Sequence, residues 1–208
     1  MSDRLPTVFL VDDEPEVLKA VARLLRAEAF PVSAFSSPRE FLDQVDPDAP
    51  GCLVLDMSMP GVSGLEVQRD LETRGCHLPV IFLTGRADVP DTVRAMKGGA
   101  SDFLTKPVED EDLLGAVRRA IEKDAVLRRE RAEEALVRAR LETLTPRERE
   151  VLEHVVAGEL NKQVAGRLGT VEKTIKVHRA RVMEKMQASS LADLVRLARR
   201  VGIGPRWV

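Results

Sequence analysis

The chain reads as an α/β domain followed by an all-α domain. The first is a five-stranded, parallel, doubly wound sheet. The second is a four-helix domain of helix-turn-helix type, joined to the first by one long charged helix. Three observations predict this. Apolar runs of strand length recur between helical stretches and each ends on polar residues. Residues 109–141 contain no proline, and residues 122–142 are dense in both signs of charge. After Thr145 the apolar spacing becomes helical and the charge turns positive.

Taken in order, Val8-Phe9-Leu10-Val11 is the first strand and runs into Asp12-Asp13. The first helix places Val17, Val21, Leu24 and Leu25 on one face, with Pro15 at its start and Asp13 as a possible cap. Strand two spans Val32 to Phe35, and a helix follows from Pro38 to Val45. Leu53-Val54-Leu55 runs into Asp56, and a helix is predicted from Ser63 to Arg74. Val80-Ile81-Phe82-Leu83 runs into Thr84, followed by a helix from Val89 to Gly98. Phe103-Leu104 runs into Thr105-Lys106-Pro107, and the last helix begins near Glu109. Alternation of this kind implies a parallel sheet with helices on both faces.

In such a sheet the site lies outside the carboxyl ends of the strands. Three carboxylates (Asp12, Asp13 and Asp56), the Thr84 hydroxyl and Lys106 are thereby delivered to one rim. Mg²⁺, or Mn²⁺ in its place, takes oxygen ligands of this kind. A carboxylate can also be the nucleophile that accepts a phosphoryl group. Asp56, alone at the end of the central strand, suits that role; Asp12 and Asp13 suit metal binding. Taken singly each has an ordinary reading, as a cap, a turn or a solvated loop. The set, in order and in phase with the βα repeat, points to Mg²⁺-assisted phosphoryl transfer.

The stretches VFLVDDE, CLVLDMSMPGVSGLE, VIFLTGRADV and AMKGGASDFLTKP resemble the receiver domain of two-component response regulators, a flavodoxin-like fold. The resemblance covers roughly residues 1–121. It implies that Asp56 is the phospho-acceptor. It implies that Asp13, Asp56 and the Ser58 carbonyl bind Mg²⁺ directly, and Asp12 through water. Thr84 and Phe103 would be the switch pair and Lys106 the phosphate contact. Val108 stands where many relatives have Phe, a difference expected to alter packing. A haloacid-dehalogenase-type phosphohydrolase also uses an Asp nucleophile, but needs a second Asp two positions on. Ser58 stands there, so an enzyme is not expected. A silent receiver on a constitutive DNA-binding protein is opposed by the intact acidic set.

The formal charge of −2 hides an asymmetry: −8 over residues 1–121, 0 over 122–144 and +6 over 145–208. The basic third segment suggests nucleic acid. No stretch has the length of a membrane span and no signal peptide is evident, so a cytoplasmic location with no membrane partner is expected. Cys52 and Cys76, the two cysteines, fit a reducing compartment and read as core residues. Within the linker, Ala125, Ala132, Leu136 and Ala139 form a thin stripe broken by Arg129, read as a solvated helix rather than a coiled coil.

Residues 145–208 open with Thr145-Pro146-Arg147-Glu148, a capping box with proline at the first helical position. Val151, Leu152, Val155 and Val156 form an apolar face, and Gly158 ends the helix. Asn161 reads as the cap of the next helix, which carries Val164, Ala165 and Leu168. Gly169 marks a turn before a longer basic helix with Lys173, Lys176, His178, Arg179, Arg181 and Lys185. Ser190 caps a final helix carrying Leu191, Leu194, Val195 and Ala198. A glycine turn between a short helix and a basic one is the helix-turn-helix pattern.

The block LTPREREVLEHVVAGELNKQVAGRLGTVEKTIKVHRARVMEKM, then SSLADLVRLA, resembles the LuxR-type DNA-binding domain. With the receiver it resembles the NarL/FixJ family, FixJ-type members most. The resemblance implies DNA contacts from Lys173, Thr174, Lys176, Val177, Arg179 and Arg181. Relatives often carry Ser or Thr just before the recognition helix; here Val171 stands there, with Thr170 ahead. The function implied is a transcription regulator switched by phosphorylation of Asp56. Its partners would be a sensor histidine kinase, promoter DNA, RNA polymerase and a second copy of the phosphorylated chain.

Overall fold

The computed structural model describes residues 4–85 and 89–204. The chain divides into two units between Arg128 and Arg129. The first alternates β1 (Thr7–Val11), α1 (Pro15–Ala27), β2 (Val32–Phe35), α2 (Pro38–Gln44), β3 (Gly51–Asp56), α3 (Gly64–Thr73), β4 (Val80–Thr84), α4 (Val89–Lys97) and β5 (Asp102–Thr105). The helix α5 (Asp110–Glu142) follows. The strands form one parallel sheet in the order β2-β1-β3-β4-β5. The sheet and its helices match the expected doubly wound architecture.

Every residue of β3 and β4 is buried, as continuous apolar runs covered on both faces must be. Alternation along each strand feeds two cores. Phe9, Val11, Leu53, Leu55 and Phe82 pack with Phe41, Val67 and Leu71 on one side. Val8, Leu10, Val54, Ile81 and Leu83 pack with Leu25, Leu113 and Val117 on the other, where Val108 is partly buried. Cys52 and Cys76 are free, buried thiols, one in each core. Gly51 is required by close approach: a Cβ there would sit 1.8 Å from the Thr7 carbonyl oxygen. The chain order reverses between β1 and β3, which is where an open α/β sheet leaves its crevice.

Helix α1 begins on Pro15, and its N-cap is Glu14 without a side-chain cap. Asp13 is therefore not the cap; Asp12 Oδ1 instead accepts from the Glu14 N–H at 2.9 Å. Helix α3 is closed by a capping box between Ser63 and Glu66.

Helix α5 does not run free through its charged stretch. Leu113, Ala116, Val117 and Ala120 join the first unit's core. One turn further, Asp124 is 2% exposed and its Oδ2 accepts from the Gly51 N–H at 2.9 Å and from Arg128 Nε at 2.7 Å. Arg128 also donates to the carbonyls of Asp48, at 2.9 Å, and Ala49. The end of α5 joins the second unit, where Val137 is buried and Leu141 packs beside it. The predicted stripe of Ala125, Ala132, Leu136 and Ala139 is exposed throughout.

The second unit continues with α6 (Pro146–Val156), α7 (Asn161–Arg167), α8 (Glu172–Met186) and α9 (Leu191–Arg200). Its core gathers Val151, Leu152, Val155, Val164, Ile175, Val182, Met186, Leu194 and Ala198. Thr145 and Glu148 form the predicted capping box, and Ser190 accepts from the Asp193 N–H at 3.1 Å. Asn161 is not the cap of α7. It is the first helical residue, Leu160 is the N-cap, and Gln163 reaches back to the Leu160 N–H at 2.7 Å. The N-cap of α8 is Val171, which offers no side-chain cap. Gly169, at φ +61°, makes the left-handed turn between α7 and α8.

Candidate functional site

Four strand ends meet at the rim. Asp12 follows β1, Asp56 ends β3, Thr84 ends β4 and Lys106 follows β5. Asp12 is fully buried, and Asp56 and Thr84 nearly so. The Lys106 ammonium lies 2.7 Å from Asp12 Oδ2 and 2.7 Å from Asp56 Oδ1. It also lies 3.3 Å from Glu14 Oε1. Each aspartate spends its other oxygen on backbone: Asp12 Oδ1 on Glu14 N–H at 2.9 Å, and Asp56 Oδ2 on Ser58 N–H at 2.7 Å. The Lys106 N–H donates to the Thr84 carbonyl at 2.7 Å, which fixes the loop carrying the ammonium.

The electrostatics follow from burial. Loss of water raises the Asp12 carboxyl above its ordinary value, and the hydrogen bonds from Lys106 and Glu14 offset only part of that. Burial acts on Lys106 in the opposite direction, but its hydrogen bonds to Asp12 and Asp56 outweigh it and hold the ammonium protonated. At the rim one internal ammonium thus faces three carboxylates, those of Asp12, Asp56 and Glu14.

The predicted residues are not all drawn into this cluster. Asp13 is half-buried on the β1–α1 loop and makes no ion pair among the described residues. Phe103 is partly buried, its ring centroid 6.4 Å from that of Phe82. Among the described residues no three His, Cys, Asp or Glu side chains are grouped to hold a metal. Lys106 stands between the two nearest carboxylates. The donors there are all hard oxygens, which is the chemistry Mg²⁺ or Mn²⁺ accepts. Three participants were missed by the sequence reading, the Ser58 N–H on Asp56 among them. Glu14 adds a third carboxylate to Lys106, and the run Asp12-Asp13-Glu14 was its signal. Gly64 lets α3 begin against the site: a Cβ there would lie 2.7 Å from the Asp56 carbonyl oxygen.

In the second unit, α8 buries Ile175, Val182 and Met186 and turns its other sides outward. Lys173, Lys176, Val177 and Arg181 are exposed, and Thr174 and Arg179 are half-buried. Val177 stays out of the core at 47% exposure. Lys176 sits 3.5 Å from Glu172 Oε1, one turn back. Arg179 Nη1 donates to Asn161 Oδ1 of α7 at 3.2 Å, bracing the two helices. His178 Nδ1 is buried without a partner among the described residues. Lys185, counted from sequence among the basic residues of this helix, is turned inward to Glu148 at 2.6 Å.

Comparison with known proteins matches both units. Residues 8–118 match the response regulator receiver domain, and residues 142–198 match the bacterial regulatory proteins of the luxR family. Nodulation protein W of Bradyrhizobium diazoefficiens is 47% identical over 196 residues, covering 94% of this chain and 86% of that protein. The transcriptional regulatory protein FixJ of Rhizobium meliloti is 44% identical over 199 residues, covering 96% and 98%. Among solved structures, the response regulator StyR aligns with a TM-score of 0.84 at 43% identity, over 95% of this chain and 100% of that one.

Proposed function

Because this chain belongs to the NarL/FixJ-type response regulators, transcriptional regulators that join a receiver to a LuxR-type DNA-binding domain, we propose that it is switched by phosphorylation of Asp56. The donor is a phosphohistidine of a sensor histidine kinase. The observation that carries this reading is one ammonium, Lys106, held at 2.7 Å by both Asp12 and Asp56 at the carboxyl end of the sheet.

Asp13, Asp56 and the Ser58 carbonyl would hold Mg²⁺ or Mn²⁺, with Asp12 acting through water. When bound, the cation neutralises charge on the phosphoryl oxygens. A carboxylate oxygen of Asp56 forms the new O–P bond as the donor's N–P bond breaks. Lys106 is already beside that oxygen and remains with the phosphoryl group as a point charge. The Ser58 N–H holds the other oxygen and so orients the carboxylate. The Thr84 hydroxyl turns to a phosphoryl oxygen, and Phe103 fills the space it leaves. Such a charge change biases the face of α4 and β5, on which Val93 and Met96 are about half exposed. That face pairs two phosphorylated chains.

Lys173, Thr174, Lys176, Val177, Arg179 and Arg181 form the DNA surface, with Lys176 and Val177 in the major groove. RNA polymerase is the further partner of the promoter-bound dimer. Ser58, standing where a phosphohydrolase carries its acid/base, makes the chain a stoichiometric acceptor. The test is phosphate incorporation from a small phosphodonor with Mg²⁺. The unaltered chain takes up one phosphate and Asp56→Asn takes up none. Full incorporation into Asp56→Asn rules the assignment out.

A further inference from the structure

The basic helix α8 carries five lysines and arginines, and they are not equivalent. Lys173, Lys176 and Arg181 are exposed. Lys185 is not directed at solvent: its Nζ lies 2.6 Å from Glu148 Oε2 and 3.0 Å from the Thr143 carbonyl oxygen. Glu148 is 2% exposed, and the same Oε2 accepts from the Thr145 N–H at 2.9 Å. One ammonium thus closes the capping box of α6 and the turn that ends α5. The end of α8 is gripped again by Arg140, whose Nη1 lies 3.4 Å from the Met186 carbonyl oxygen. It is gripped a third time by apolar contact in the core that holds Val137, Leu144, Val182 and Met186.

We propose that Lys185 is a positioning residue for DNA binding and not a DNA contact. It fastens the recognition helix to Thr143, just past the end of α5, and to the start of α6. Drawing Lys185 out to a phosphate would leave the Glu148 carboxylate buried and uncompensated, a larger loss than one solvated phosphate contact returns. The orientation in which Lys176 and Arg181 face DNA is therefore set partly by residues 137–145, all of which precede α6. The proposal rests on the DNA-binding reading of α8.

The test uses the full chain, a random-sequence duplex, and a duplex enriched from a random pool by the unaltered chain. Binding is measured across a salt series for Lys185→Met, Lys185→Arg and the double variant Glu148→Gln/Lys185→Met. A lost phosphate contact lowers the slope of log K against log salt by about one unit. A lost positioning contact weakens binding, about tenfold here, and leaves the slope unchanged. The double variant, with no stranded carboxylate, recovers most of the affinity without restoring the ammonium. Lys185→Arg keeps it. If Lys185→Met does not fold, the double variant carries the comparison. A slope lower by about one unit in either Met variant, or a double variant whose affinity stays as low as that of Lys185→Met, overturns the proposal. Failure of the unaltered chain to bind either duplex removes the DNA-binding reading itself, and this inference with it.

Discussion

At Lys106 one ammonium answers three carboxylates, two of them buried, so its loss should be felt as a charge problem before a packing one. In metal-free buffer Lys106→Ala should lower stability by about 3 kcal/mol, read by urea unfolding. Mg²⁺ should recover part of the loss by binding the folded state; no Mg²⁺ dependence in that variant would count against a cation site at this rim. Glu148 gives a pH test. Its hydrogen bonds to Lys185 and Thr145 hold the carboxyl below its ordinary value of 4.5. The ionised form thus contributes stability that is fully present above that value and lost as pH falls through the lower folded one. Glu148→Gln should cost about 1.5–3 kcal/mol at neutral pH, and the gap to the unaltered chain should close in acid. Asp12, Asp56, Thr84 and Lys106 were legible because strand periodicity fixes which residues end at the rim. Glu14, the Ser58 N–H and Gly64 were not, because their roles depend on how two tight loops turn.

The long helix shows where pattern reading stops. Its charge density suggested a solvated linker, and most of residues 122–144 are indeed exposed. Within the helix itself, over residues 122–142, two side chains break the pattern, Asp124 and Val137, each 2% exposed. Neither lies on the Ala125–Ala139 stripe, since a single buried residue per unit leaves no period to detect. Asp124→Ala would orphan the Gly51 N–H and take from Arg128 its one carboxylate partner among the described residues, leaving it the Asp48 and Ala49 carbonyls, and should cost about 2–4 kcal/mol, measured as thermal or urea stability; a neutral result would show the clamp to be dispensable. For α8, Lys176→Ala should cost about 1–3 kcal/mol of binding and relax sequence preference, whereas Arg181→Ala should weaken all sequences alike and lower the salt slope by about one unit. Equal effects on matched and random duplexes from both variants would mean that Lys176 does not read bases. The capping boxes at Thr145 and Ser63 were decidable from local sequence or close to it. The cap of α7 was not, because Leu160 contributes only its backbone and Gln163 supplies the side chain.

At the scale of the whole chain, the division into an acidic and a basic half was visible in composition alone, and it agrees with the two family matches. The charge separation points to nucleic acid for the basic half, and gives no hint of how the first half would act on the second. On the proposed reading, control runs through self-association. The phosphorylated chain should sediment as a dimer at tens of micromolar, the order at which weak interfaces fill, and Asp56→Asn should remain a monomer under the same conditions. A phosphorylated chain that stays monomeric would discard the dimer model. On promoter DNA the dimer should protect two half-sites about one helical turn apart; an isolated half-site bound as tightly as the pair would argue for a monomeric reader.

The two cysteines carry a kinetic consequence. Burial, with the Asp124 charge adding to it, pushes the Cys52 thiol up to about 12, and burial raises Cys76 as well. Alkylating reagents attack the thiolate, so the native chain should be almost inert to them at neutral pH. Each labelling event then records an opening of the first unit, because both thiols lie in it. Labelling rate becomes a clock for that unit alone, one that ligands of the rim should slow while DNA held by the second unit leaves it running.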